Sequence, residues 1–321
     1  MRDSTVSDDR EHSRVGPSTP HGYGDDARSR FLRRRPPAAA LSWVEDVLGG
    51  SITRIDACKG GSSSAIHALR VSCEDESQTV ILRRYVIDEL NAEEPDIAER
   101  EARVLQFLER CELTTPRLLA VDASGVTAGV PSVLMTRVPG RLDWTPTDID
   151  RWLHDLASVL PALHATQVTA SDRVQAFQPY APPSWDPPPW LKQPALWDRA
   201  VEMFHQPPLD PDRVFIHRDY HPGNVLWRRG RVTGVVDWQA ASVGPRSVDV
   251  FWCWSNLIGQ FGLEVADRFV DIWERLSGDA YHRWAEVVML VDVIGWTHER
   301  KEQEQRDLES ALARSLAEFG R

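Results

Sequence analysis

The sequence predicts an α+β chain in two parts, a small antiparallel sheet carrying one main helix and then a larger, mostly α region. Three observations carry that expectation. Five strand-like runs, separated by turn residues, lie between residues 51 and 138 with one strongly amphipathic stretch among them. Helical periodicity dominates the chain beyond residue 139. Twelve of the 13 tryptophans fall at or after Trp144, a composition shift that marks the second part off from the first.

Residues 1–37 mix Ser, Asp, Arg, Gly and Pro, show almost no apolar periodicity and end in the basic run RSRFLRRRPP, so they are expected to form a disordered tail. The first lobe is expected over 38–138. It opens with SWVEDVLGG, a short helix closed by glycines, and SITRIDACKGGSSSAIHALRVSC then reads as two strands joined by KGGSSS. QTVILRRYV continues as a third strand, with Val80 and Leu82 on one face and Ile81 and Arg83 on the other. In DIAEREARVLQFLERC the positions Ile97, Glu101, Val104, Leu105 and Leu108 share a helix face, which puts a carboxylate on an apolar stripe. PRLLAVDASG and VPSVLMTRVPG add two strands, the second ending in a Pro139-Gly140 turn.

The second lobe, 139–321, begins with the amphipathic DIDRWLHDLASVLPALHAT, where Pro161 predicts a kink. YAPPSWDPPPWLKQP is too proline-rich for helix or central strand and is expected to be an extended loop. The segments from ASVGPRSVDVFW onward carry helical periodicity to the end.

Bulk properties exclude several functions. A net charge of -11, from 37 basic and 48 acidic residues, argues against a nucleic-acid partner and is compatible with a cationic ligand. Four cysteines without a C-x-x-C pair suggest neither a zinc knuckle nor a disulfide framework. The start MRDSTVSDDREHSR has no apolar signal region, and VVMLVDVIGW is short and broken by Asp292, so no membrane segment is expected and the protein is expected to be cytoplasmic.

The chemistry concentrates in FIHRDYHPGNVLW, residues 215–227, followed by a hairpin that turns at Arg229-Gly230 and ends at Asp237. A loop between strands holds Asp219 and Asn224, and the hairpin can return Asp237 beside them. Two carboxylates and an amide oxygen make a hard-oxygen site suited to Mg2+, and a carboxylate left off the metal can take a proton from a hydroxyl. Other readings stay open. Asp219 and Asp237 can simply close a turn and a strand, and His217, Asp219 and His221 can be read as ligands of a transition metal in a hydrolase.

HRDYHPGN followed by VVDWQ resembles the H-x-D-x-x-x-x-N motif of the aminoglycoside phosphotransferase and choline kinase-like family, small-molecule kinases related to protein kinases. The resemblance extends over about residues 41–260. It implies a protein kinase-like bilobal fold with a nucleotide-binding first lobe and a catalytic, substrate-binding second lobe. It implies a phosphotransferase that uses ATP or GTP with Mg2+ and phosphorylates a hydroxyl of a small molecule, antibiotics being among the candidates. Asp219 is then the catalytic base, Asn224 and Asp237 the metal ligands, and His217 and Asp249 structural supports. Gly60, Gly61, Ser62 and Ser63 would cover the nucleotide phosphates. Arg83 stands where kinases have a lysine, paired with Glu101, and Thr136 and Val138 offer backbone groups to the base. Asp249 follows Asp237 by only twelve positions, with no A-P-E motif, which argues against protein substrates. The arginine for lysine keeps a catalytically inactive nucleotide-binding regulator as the alternative. Trp185, Trp190 and Trp197 are candidates to stack on the acceptor, and Asp186, Asp198, Glu202, Asp210 and Asp212 to attract an amine on it.

Overall fold

The computed structural model describes residues 27–58, 63–74, 76–182, 184–207, 212–295 and 301–319. Of the expected tail, residues 1–26 lie outside the described residues. Over 27–32 the expectation is corrected: the chain forms a short helix, α1 (Ala27–Leu32), because the basic run contains Leu32, which is buried. Helix α2 (Ala38–Leu48) follows and stops at Gly49, whose φ of 61° lets the chain turn left-handed.

The first lobe is one antiparallel sheet of β1 (Ser51–Ala57), β2 (Ala65–Cys73), β3 (Glu76–Arg84), β4 (Leu118–Asp122) and β5 (Ser132–Thr136), ordered β1-β2-β3-β5-β4. The period of two along β3 sorts its side chains. Val80 and Leu82 join Leu69, Val71 and Leu134 beneath Trp43 and Val44 of α2, forming a small core on one face. Ile81 and Arg83 point to the other face, toward the second lobe. After the short α3 (Asp88–Glu93), α4 (Ile97–Leu108) lays Ile97, Val104, Leu105 and Leu108 into the main core and buries Glu101 with them.

The chain leaves β5 through the Pro139-Gly140 turn. At Gly140, where φ is 141°, a Cβ would lie 2.5 Å from Thr233 Oγ1 and 2.9 Å from Leu226 Cβ, so the crossing strand can press against the later hairpin only without a side chain. The stretch predicted to kink becomes two helices, α5 (Ile149–Ala157) and α6 (Val159–His164), broken at Ser158; Pro161 lacks the N–H that would bond back to Ala157. Residues 180–193 contain neither helix nor strand among the described positions, as their prolines dictate, and α7 (Pro194–Phe204) starts with proline at its first position.

Strand β6 (Val214–Ile216) pairs with β9 (Ser242–Gly244), and β7 (Val225–Arg228) with β8 (Arg231–Val235). The latter hairpin turns on Arg229 and Gly230 at φ 53° and 69°, the two positive angles that a two-residue turn matching the strand twist requires. Helices α8 (Ser247–Phe261), α9 (Leu263–Ser277), α10 (Arg283–Gly295) and α11 (Glu302–Glu318) complete the lobe. Trp197, Trp238, Trp254, Trp273 and Trp284 are fully buried there, which accounts for the tryptophan-rich second half. Among the described residues no helix is long and apolar enough to cross a membrane.

Candidate active site

A cleft of about 420 Å³ lies between the sheet and the helical lobe. Ile66 and Ile81 line it from the sheet, and Leu226 and Val236 from the hairpin opposite. Met135, Thr136 and Val138, where the chain crosses between lobes, close one side. Apolar walls above and below suit a flat ring.

Asp219, Asn224 and Asp237 all line this cleft. The geometry between β6 and β8 brings them there. Asn224 Nδ2 donates to the Asp219 carbonyl (2.9 Å) and to its carboxylate Oδ2 (3.1 Å), and the Val236 N–H donates to the Asn224 carbonyl (2.9 Å). Gly223 N–H donates to His221 Nδ1 (3.0 Å), and a Cβ on Gly223 would sit 2.5 Å from that ring, so the HPGN turn closes only with glycine. Asp237 adopts φ 72°, an angle rare for a residue with a side chain and costing of order 1–3 kcal/mol. The side chains of Asp219 and Asp237 keep 25% and 21% exposure, so both are reachable from the cleft.

His217 lies beneath them. Its Nδ1 accepts from the Asp219 N–H (3.3 Å) and its Nε2–H donates to the Val236 carbonyl (2.9 Å), which fixes the tautomer. Both ring nitrogens are therefore taken by backbone, and the reading of His217, Asp219 and His221 as a zinc site has no donor left on His217. Among the described residues no group of three or more His, Cys, Asp or Glu is arranged to hold a metal. Asp249, fully buried at the start of α8, accepts from the N–H groups of Arg218 (2.6 Å) and His217 (2.9 Å) and contacts His164 Nε2 (3.1 Å).

From the sheet side, Arg83 Nη1 lies 2.8 Å from Glu101 Oε1 and 2.8 Å from Asp237 Oδ1. Tyr85 donates its hydroxyl to Glu101 Oε2 (2.8 Å). Burial alone would raise the Asp237 carboxyl, but the Arg83 guanidinium overcomes it and holds the group below the usual carboxylate range. For Glu101 the burial wins over Arg83 and the carboxyl is pushed up. Burial disfavours the Arg83 charge, yet Asp237 and Glu101 together raise it further. Arg84 lies on the opposite face of β3, away from the cleft.

Of the predicted phosphate-covering turn, Gly60, Gly61 and Ser62 lie outside the described residues. Ser63 lines the cleft, and its Oγ accepts from Gln239 Nε2 (3.2 Å), tying Ser63 to the segment after Asp237. Three hydrogen-bonding partners are not evident as such in the sequence: Tyr85, His164 and His221. His164 has one available signal, a histidine beside Leu160 and Leu163 on a buried helix face. The candidate acceptor tryptophans do not line the cleft. Trp197 is buried with its Nε1–H donated to the Trp185 carbonyl (2.7 Å), and Trp185 packs on Phe204 and His205. Asp186, Asp198, Glu202 and Asp212 do not line it either, and Asp210 is outside the described residues.

Known proteins resemble this chain in fold and sequence. A putative aminoglycoside phosphotransferase from Ralstonia eutropha JMP134 superposes with a TM-score of 0.57 at 17% identity, covering 87% of this chain and 98% of that one. A thermostable mutant of aminoglycoside phosphotransferase APH(4)-Ia, in a ternary complex with ADP and hygromycin B, gives 0.58 at 15% identity over 88% and 100% of the two chains. Macrolide 2'-phosphotransferase type I gives 0.53 at 19% identity over 88% and 92%. The fold is thus the protein kinase-like bilobal fold. A curated relative, the N-acetylmuramate/N-acetylglucosamine kinase of Neisseria meningitidis serogroup B, is 33% identical over 106 residues, 30% of this chain and 31% of that protein. The chain thus matches only about a third of that relative's length. The profile of the phosphotransferase enzyme family (APH) matches residues 62–287, well over half of the sequence, and the chain belongs to that family of small-molecule kinases.

Proposed function

We propose that the chain transfers the terminal phosphoryl group of ATP or GTP to a hydroxyl of a small ring compound, with Asp219 as the base. The observation that carries this reading is the meeting of Asp219, Asn224 and Asp237 on one cleft wall facing the Arg83–Glu101 pair. Asp219 accepts the acceptor hydroxyl's hydrogen bond and receives its proton, while Asn224 orients the carboxylate from behind. Arg83, held by two carboxylates, presents a positive charge to the transferring group. Ser63, with Gly60, Gly61 and Ser62 before it in the sequence, is assigned to the nucleotide phosphates, and backbone groups of Thr136 and Val138 to the base.

The donor set fits Mg2+. With its NH2 turned to Asp219, the Asn224 amide keeps its oxygen for a cation. Asp237 keeps its second carboxylate oxygen and is held in the ionised form that a hard cation needs. When bound, the metal and nucleotide supply the electrophilic phosphoryl group with its charge neutralised. His217 and Asp249 fix the backbone that carries Asp219 and do not touch the reacting atoms.

The names of the relatives point to aminoglycosides or amino sugars as the acceptor class. The test is Asp219→Asn assayed for ATP consumption against a panel of hydroxyl compounds. We expect kcat to fall by about 10²–10⁴-fold with nucleotide binding retained. Near-normal turnover in that variant removes Asp219 from the role of base.

A further inference from the structure

The lining of the cleft includes donors that phosphoryl transfer does not use. Arg218, adjacent to Asp219, adopts φ 68°, an angle that favours glycine and costs a side chain roughly 1–2 kcal/mol. Its guanidinium is nonetheless firmly placed. Nη2 donates to the Gln178 carbonyl (2.5 Å), and the guanidinium carbon stands 4.0 Å from the ring centre of Tyr180 and 5.5 Å from that of Phe177. Arg218 is 8% exposed, its Nε has no hydrogen-bond partner, and no carboxylate among the described residues forms an ion pair with it. Trp252, 3% exposed and lining the same cleft, has an indole N–H that is also without an acceptor.

The acids of the cleft are already engaged. Asp237 pairs with Arg83, Glu94 pairs with Arg100, and Asp219 receives Asn224. Among the described residues five arginines line the cleft against three acids, although the chain as a whole carries -11. Among the described lining residues, a polyamine entering here meets only carboxylates that already hold a partner or serve the proposed transfer. An anion meets a buried guanidinium that forms no ion pair with a carboxylate of the described residues, an arrangement in which a charge-assisted bond is strong.

We infer that the acceptor bears a carboxylate near its reactive hydroxyl, bound by Arg218 with Trp252 as a second donor, which makes it a sugar acid or a carboxylate-bearing amino sugar. This rests on the phosphotransferase reading for the identity of the hydroxyl, but its charge rule is testable by binding alone. Calorimetry on the full chain, with a non-hydrolysable ATP analogue, compares pairs of related sugars of which one member carries a carboxylate, glucuronate with glucose and N-acetylmuramate with N-acetylglucosamine, and adds kanamycin as a polycation. The carboxylate member of at least one pair should bind tenfold or more tightly than its uncharged twin and more tightly than kanamycin. Arg218→Gln should erase that preference, and Arg218→Lys should restore part of it. Equal binding within both pairs, or tighter binding of kanamycin, overturns the inference even if the variants fail to fold. A preference unchanged by Arg218→Gln, or a loss confined to the ATP analogue, also overturns it. Phosphoryl transfer is measured separately: binding preference without transfer supports Arg218 while counting against the phosphotransferase reading.

Discussion

Replacing Asp249 by alanine is the sharpest test of how the catalytic loop is held. The carboxylate is fully buried and accepts the N–H groups of Arg218 at 2.6 Å and His217 at 2.9 Å, with His164 Nε2 at 3.1 Å. Alanine leaves two buried backbone donors and one imidazole unsatisfied. Each orphaned group costs about 1–3 kcal/mol, and partial relaxation brings the sum to about 3–5 kcal/mol, a large share of the roughly 5–15 kcal/mol that holds a domain together. At about 2–4 °C per kcal/mol for chains of this size, the thermal midpoint should drop by roughly 10 °C. Those N–H groups lie one and two residues before Asp219, so the loop should relax there as well. A displacement of about 1 Å at the base costs on the order of 10²-fold in kcat. Thermal denaturation followed by circular dichroism, with steady-state kinetics on the folded fraction, measures both. A variant that melts within 1 °C of the parent and turns over normally refutes the view that Asp249 braces the loop.

Glu101→Ala should cost about 3 kcal/mol, because it leaves buried Arg83 with Asp237 alone and strips Tyr85 of its acceptor. Its KM for nucleotide should rise, and unchanged melting and KM would show that the pair is dispensable. Asp237→Asn should destabilise in a pH-dependent way. Since the folded protein depresses the Asp237 carboxyl, its contribution is complete above the unfolded value near pH 4 and is lost as pH falls through the folded one. The stability gap between parent and variant should therefore close in acid, and a gap that stays constant or widens there contradicts the Arg83–Asp237 pairing.

How much could be read from the chain depended on how local the determinant was. Arg83 was legible because alternation along β3 puts it with Ile81, opposite Val80 and Leu82. Glu101 was legible because an ionisable group on an apolar helix stripe demands a buried partner. The turn at Arg229-Gly230 followed from residue type alone. By contrast, Tyr85 at a strand end reads as packing, and nothing nearby announces its bond to Glu101. His164 and Asp249 meet across 85 residues, a distance no spacing rule spans. The tryptophans around residue 190 failed for a related reason. An indole that stacks on a ligand and one that fills a core look alike in sequence, and Trp197 went to the core.

Arg83 Nη1 joins an acid 18 residues away on its own lobe to another 154 residues away on the other. Either half expressed alone would strand a charge: a guanidinium with one acid too few, or an aspartate bent to an unfavourable angle with no cation to hold it. Fragments cut near residue 138 should therefore be poor autonomous folders but good complementers, with the ionic clasp closing only when the halves associate. Synthesis on the ribosome then leaves the nucleotide cleft unfinished until the hairpin that ends at Asp237 has emerged.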